Sequence, residues 1–251
     1  MGKYDLKAGE FLYSVSIVIP VTDEDASLKS NVEQAVLLCG SGDIEEIIFV
    51  LWEKTTERCI EIIDSLIDEF PQVRFVKYTQ KSPKIKGALY ESLNIAKGTH
   101  TAHFTGDPDT SPEALARMIE ASKRNPDAVV IASRWIEGGG FEGYGRFNKF
   151  CNFAFQQMLR VLYGADVHDY TYSFRIFPTE SMKKITWEEE DFPVVLENTL
   201  KLKRLGYRFI EVPAVWRADK SATSRNSFSL RASYLPVVFR VRFTGKNKLL
   251  K

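Results

Sequence analysis

Apolar positions along the chain fall into short β-branched runs that alternate with longer stretches of helical spacing. Val15-Ser16-Ile17-Val18-Ile19-Pro20 is a continuous apolar run closed by proline, which predicts a buried parallel strand ending in a loop. Leu28, Val32, Ala35, Val36 and Cys39 then recur on one helical face until the glycines at 40 and 42 stop the pattern. A strand at 47–51 follows, then a helix carrying Ile60, Ile63, Leu66, Ile67 and Phe70 that ends at Pro71. The alternation continues with a strand at 73–78, a helix at about 84–97 and a strand at 100–105.

Beyond it, Thr110 and Glu113 have capping-box spacing and Pro112 suits a first turn, so a helix with Leu115, Met118 and Ile119 inward is expected. A strand at 128–132 leads into Gly138-Gly139-Gly140, which reads as a mobile stretch. A helix at 150–163, a strand at 174–177, a helix at 193–205 stopped by Gly206 and a strand at 209–215 complete the pattern. Such alternation predicts an α/β fold, a mostly parallel central sheet flanked by helices, with ligands at the carboxyl ends of the strands. Residues 1–216 form the αβ body, and 217–251 a tail.

Composition narrows the picture. At 251 residues, 44% of them hydrophobic and 27% charged, the chain supports one substantial core. A formal net charge of +1 gives no general attraction to nucleic acid. The tail is different: from Arg217 to Lys251 there are nine Lys or Arg against one acid, Asp219, interleaved with Phe228, Tyr234, Phe239 and Phe243. That mixture suits an anionic membrane surface, and its apolar run 234–239 equally suits packing on the body or on a second subunit. Cys39, Cys59 and Cys151 form neither a disulfide framework nor a CxxC site, which fits a reducing, cytoplasmic compartment. No signal peptide or membrane span is read from the sequence.

Among candidate chemistry, Asp107 and Asp109 stand out. Two carboxylates one residue apart at a strand end, held by Pro108, can share a hard divalent cation with the oxygens of a diphosphate. The same Asp-Pro-Asp also makes an ordinary turn before a capped helix. His100 and His103 point to opposite faces of their strand and cannot form a simple pair of metal ligands.

The surroundings of the pair add a resemblance. Val15 to Pro20 with Asp23-Glu24, then Lys86-Gly87-Ala88, Ala96-Lys97-Gly98 and Phe104-Thr105-Gly106-Asp107-Pro108-Asp109 occur in that order. Ala132-Ser133-Arg134-Trp135 with Gly138-Gly139, then Asp169-Tyr170-Thr171-Tyr172-Ser173-Phe174-Arg175, then Gly206-Tyr207 and Glu211-Val212-Pro213 follow. Together, from Val15 to about Arg225, they resemble family 2 glycosyltransferases of the GT-A fold, and within them the dolichol- and polyprenol-phosphate mannosyl- and glucosyltransferases.

The resemblance implies an inverting, metal-dependent hexosyltransferase. Asp107 and Asp109 would hold Mg²⁺ or Mn²⁺ on a nucleotide-sugar donor, with Pro20, Glu24 and Gly106 around that donor. Arg134 and Arg175 would be catalytic basic groups, and Arg134, Arg146, Ser173, Arg217 and Arg225 would line the acceptor, a polyprenyl phosphate. Guanidinium forks suit phosphate oxygens. Where the family has an Asp-Asp-Gly-Ser turn, this chain has Leu51-Trp52-Glu53-Lys54-Thr55-Thr56, which leaves the donor sugar and base open. The late loop is altered too, with Arg217, Lys220 and Arg225 as its basic residues.

The acceptor class bears on the mechanism. A lipid phosphate is already ionised and needs no general base. A saccharide hydroxyl, as in cell-surface polysaccharide synthesis, needs one, and Glu188, Glu189, Glu190 or Asp191 could supply it. A third reading is a nucleotide-sugar-binding protein without catalysis. With a lipid acceptor, the protein is expected in the cytoplasm, peripheral at the inner face of the membrane.

Overall fold

The computed structural model describes residues 12–40, 42–218 and 228–251, with 228–232 described by their backbone alone. Along them run β1 (Val15–Pro20), α1 (Ala26–Cys39), β2 (Ile44–Leu51), α2 (Glu57–Glu69), β3 (Phe75–Thr79), α3 (Lys84–Ile95), β4 (His100–His103) and α4 (Pro112–Arg124). Then come β5 (Val129–Ser133), β6 (Gly140–Glu142), α5 (Arg146–Tyr163), β7 (Arg175–Pro178), α6 (Thr179–Lys184), α7 (Pro193–Leu205), β8 (Phe209–Pro213), β9 (Val215–Arg217) and α8 (Phe228–Phe243).

Seven strands form one sheet in the order β3-β2-β1-β4-β7-β5-β8. All pair in parallel except β7, which runs antiparallel between β4 and β5. Its register sets Arg175 beside His103 on one neighbour and Ile131 on the other. Because β1 is flanked by β2 on one side and β4 on the other, the chain winds outward in both directions from it. The loops after β1 and β4 therefore meet at a topological switch point.

Both faces of the sheet are covered, as its continuous apolar strands require. On one face Ile17, Ile19, Ile47, Phe49, Val130 and Ile176 pack against α1, α2 and α4, through side chains such as Leu28, Ile63 and Met118. On the other, Val18, Ile48, Ile131 and Phe177 pack against α3 and α5 to α8. Each fully buried aliphatic side chain of this kind contributes about 1.5–3 kcal/mol.

Local signals explain most boundaries. Thr56 caps α2 by accepting from the Cys59 amide at 3.2 Å, and Gly206 ends α7 in the left-handed region at φ 92°. At α4 the cap is one residue later than the capping-box spacing suggested. Ser111, not Thr110, accepts from the Ala114 amide at 3.2 Å, because the Thr110 hydroxyl is bonded back to Thr105.

Three expectations change. The glycine-rich stretch is ordered: Gly140 begins β6, which pairs in parallel with β9 as a second small sheet. The strand expected at 209–215 is two strands, broken at Ala214, which donates to Ser133 and accepts from Gly140. α5 begins four residues before the expected 150, at Arg146. As for the tail, Val237, Val238 and Val241 of α8 are buried against α7 and its neighbours, and Leu250 bridges to Ile185. Among the described residues, no helix is long and apolar enough to cross a membrane.

Candidate active site

The crevice at the carboxyl ends of β1 and β4 is built from two loops pressed together. Gly106 makes this approach feasible: a Cβ there would lie 2.9 Å from Leu28 Cδ1 and 3.2 Å from Glu24 Cγ. Asn31, buried on α1, reaches across and donates to the Asp107 carbonyl at 2.8 Å and the Gly106 carbonyl at 3.4 Å. Thr105 donates to Asp109 Oδ1 at 2.6 Å, and the Tyr172 hydroxyl donates to the Asp109 carbonyl. Both aspartates stay half-buried, so their backbone is fixed by neutral donors while their side chains remain at the crevice wall.

The loop after β1 brings Glu24 to the same place. Its Oε2 accepts from the Thr22 amide at 2.5 Å, yet burial raises its pKa against that hydrogen bond. The variant turn after β2 is anchored there as well: Trp52 Nε1 donates to Thr22 Oγ1 at 3.2 Å and Thr55 donates to the Val21 carbonyl at 2.9 Å. Lys54 sits over the Trp52 ring, 5.0 Å from its centroid. Pro20 ends β1 beside Val50 and is half-buried.

On the opposite wall, the segment before β7 is organised by buried charge. Asp169 receives Arg134 Nε at 2.7 Å on one oxygen and Arg134 Nη2 at 2.8 Å on the other, a two-pronged pair out of solvent. Burial opposes the charge on Arg134, but the Asp169 carboxylate outweighs it and leaves the pKa raised. Gln156 of α5 and Thr171 complete the cluster, and Glu211 of β8 holds it from behind through the amides of His168 and Asp169. Arg134 also lies over the rings of Tyr172 and Phe141, at 4.7 and 5.2 Å.

Arg175 is buried too. It donates to the carbonyls of Tyr172, Ser173 and Val195 and to the Thr199 hydroxyl, and burial lowers its pKa to about 10. Its donors thus hold the 172–175 segment to α7, with Tyr172 aimed at Asp109. Burial likewise pushes the Tyr172 phenol up, keeping it a proton donor.

The remaining sequence candidates are spread around this frame. Ser173 is half-buried beside Arg175, and Arg146 is exposed at the first turn of α5. Arg217 ends β9, paired with Glu142 at 2.9 Å, and its charge reaches Tyr172 and Glu113. Arg225 and Lys220 lie outside the described residues.

The acidic run is tied down: Glu188 to Lys201 at 2.9 Å, Glu189 to Arg240 at 2.8 Å, and Glu190 to Lys84 at 3.3 Å. Asp191 accepts from the Phe192 amide. Behind them Lys201 and Glu197, both fully buried, pair at 2.9 Å. Asn31, Thr105, Tyr172 and Gln156 escaped the sequence reading as site residues. Thr105 and Tyr172 lay inside matched motifs and so carried a signal; Asn31 and Gln156 carried none.

Comparison with known proteins supplies the family. The sequence pattern of glycosyl transferase family 2 matches residues 16–186. A dolichyl-phosphate hexose transferase of Haloferax volcanii is 26% identical over 172 residues, 68% of this chain and 74% of that protein. A polyprenol monophosphomannose synthase of Mycolicibacterium smegmatis is 23% identical over 192 residues, covering 63% of this chain and 72% of its own. Among solved structures, glucosyl-3-phosphoglycerate synthase from Mycobacterium tuberculosis, in complex with Mn²⁺, uridine diphosphate and phosphoglyceric acid, superposes with a TM-score of 0.68. That match covers 93% of this chain and 80% of the other at 16% identity. The family pattern spans more than half of the chain and the fold superposes on that of its structural neighbours, so this protein belongs to glycosyl transferase family 2 and is a glycosyltransferase built on the GT-A fold.

Proposed function

We propose that the protein transfers a hexose-type sugar, with inversion, from a nucleotide-diphosphate donor to a polyprenyl phosphate. One observation carries the reading: the Tyr172 hydroxyl bonds the Asp109 carbonyl, joining the donor-side carboxylate pair to the acceptor-side segment in one crevice. The polyprenyl- and dolichyl-phosphate relatives support the acceptor class. So does the acidic run, whose carboxylates are paired with cations or a backbone amide. A phosphate oxygen, already ionised near neutral pH, attacks without a base to activate it.

Asp107 and Asp109 would hold a divalent cation, Mg²⁺ or Mn²⁺. The fit is chemical: two half-buried carboxylates offer hard oxygen ligands. Among the described residues there is no cluster of three or more His, Cys, Asp or Glu that could hold the ion alone. Donor phosphate oxygens would therefore complete its shell. When bound, the ion neutralises charge on the departing nucleoside diphosphate.

Glu24, Gly106 and Pro20 shape the donor side, and Arg146, Ser173 and Arg217 the acceptor side. Arg134 and Arg175 act from behind, keeping Tyr172 and the segment around it in position. A lipid acceptor brings the enzyme to the inner face of the membrane, from the cytoplasm.

The test is turnover. The protein is incubated with Mn²⁺ and UDP-, GDP- or CDP-linked sugars, with and without a short-chain polyprenyl phosphate, and nucleotide release and glycolipid are measured. We expect release that depends on the isoprenyl phosphate. Release stimulated by simple saccharides and never by polyprenyl phosphate overturns the reading.

A further inference from the structure

α5 wears its apolar residues on the wrong side for a helix of a water-exposed surface. Phe147 and Phe150 are 74% and 67% exposed, and Phe153 and Val161 are exposed with them. At 100° per residue all four fall on one face, while Gln156 and Leu159 face inward. Scattered single exposed apolar residues are ordinary, but three phenylalanines in seven residues of one helix face are not.

Charge says what this face meets. α5 carries Arg146, Lys149 and Arg160 and no acid anywhere in its 18 residues, with Arg146 and Lys149 exposed beside the phenylalanines. α8 lies alongside, joined by the Phe155–Tyr234 ring contact and by the Tyr163 hydroxyl donating to the Val238 carbonyl. It too has no acid, and it exposes Leu235, Phe239 and Phe243 at a spacing of four, with Arg242 beside them. Neither helix carries an acid of its own, and each sets exposed aromatic side chains beside exposed cations. A protein partner gives no reason for both to lack acids; an anionic lipid surface does, because headgroup phosphates attract the cations while the rings enter the interface.

The face also connects to the reaction centre. From Arg134, the ring of Phe141 lies at 5.2 Å, Trp135 lies 4.9 Å from Phe141, and Phe153 lies 5.5 Å from Trp135. Phe150 and Phe147 continue along the helix. A lipid whose phosphate is held near the crevice has an apolar path outward to this face.

We propose that the exposed face of α5, led by Phe147 and Phe150 and continued by Phe239 and Phe243 of α8, docks the protein on an anionic bilayer. The sequence suggested membrane contact only for the tail; here the leading element lies within the body. The inference deepens the lipid-acceptor reading, but its test does not depend on that reading, because the vesicles used contain no isoprenyl phosphate.

Wild-type protein and Phe147→Ser/Phe150→Ser are sedimented with vesicles of neutral phospholipid, with or without about one-third phosphatidylglycerol. We expect wild-type binding to the anionic vesicles, weaker binding to neutral ones, and about tenfold or greater loss in the double variant with unchanged circular dichroism.

Wild-type protein that stays in the supernatant overturns the proposal, as does a double variant that binds like wild type. Loss confined to Phe239→Ser/Phe243→Ser moves docking to α8 and overturns the lead role of α5. A wild-type dimer by light scattering that the α5 variant dissociates makes the face a protein interface and overturns it too. Docking with no isoprenyl-phosphate turnover would overturn the acceptor reading while leaving this proposal standing.

Discussion

The two walls of the crevice use polar residues in opposite ways. On the β1–β4 wall the charged groups, Asp107, Asp109 and Glu24, stay at the surface of the crevice, where Asn31 and Tyr172 donate to the aspartate backbone and Thr105 to the Asp109 carboxylate. On the β5–β8 wall the strongest charges are turned inward: Arg134 on Asp169, Arg175 on carbonyls, Lys201 on Glu197. One wall presents charge and the other uses charge as internal scaffolding. A motif written in letters looks the same in both cases, since SRW and DPD each read as ligand contacts. Only partners and burial separate presentation from support.

Substitutions can break this contrast. The largest expected effect is on the presenting wall: Asp107→Ala or Asp109→Ala should lower metal-dependent nucleotide release by about 10³-fold or more with little change in urea midpoint. If both variants keep turnover and lose stability instead, the pair is structural and the contrast fails.

Next comes Arg134→Ala, which leaves Asp169 charged and unpaired out of solvent. It should cost about 3–5 kcal/mol in urea unfolding. Unaltered stability with lost turnover would move Arg134 to the presenting wall.

Between the walls stands His103 on β4, fully buried, with burial lowering its pKa from 6.5 to about 3. Above pH 6.5 it is neutral folded or unfolded and adds no pH dependence. As pH falls below 6.5 the unfolded chain takes up a proton that the folded chain refuses. Stability is then lost at up to about 1.4 kcal/mol per pH unit until the folded pKa is reached. His103→Gln should flatten thermal midpoints between about pH 7 and about pH 5, and an unchanged slope refutes this.

The smallest effect is Tyr172→Phe, which removes one hydrogen bond to Asp109. A loss of about 1 kcal/mol, or roughly fivefold in kcat/KM, is expected with stability nearly unchanged.

Much of this was legible beforehand, for local reasons. Continuous apolar runs at β1 and β2, helical stripes at α2 and α4, and Gly206 at a left-handed cap each state their structure within a few residues. The antiparallel direction of β7 was not, because a four-residue buried strand looks alike in either direction. Nor was the order of the glycine stretch, whose strand depends on β9, some 75 residues later. In the crevice, the aspartates declared themselves by spacing. Asn31 gave no sign, since an amide on a helix becomes a tether only when another loop arrives beside it. Arg134 and Arg175 were visible, but their inward orientation was written in Asp169, Thr199 and Val195, far along the chain.

β7 has a further consequence, for the order of assembly. Strands β1 to β4 pair with one another, and β5 pairs with β8, but within the main sheet only β7 joins the two groups. The 172–175 segment and its grip on Asp109 thus belong to the strand on which joining of the two groups depends, and that strand can insert only after both of its neighbours are in place. A chain arrested before β7 inserts would hold most of its parallel sheet and yet have no second wall. Turnover should therefore lag behind helical signal on refolding, making activity a late reporter of the completed fold.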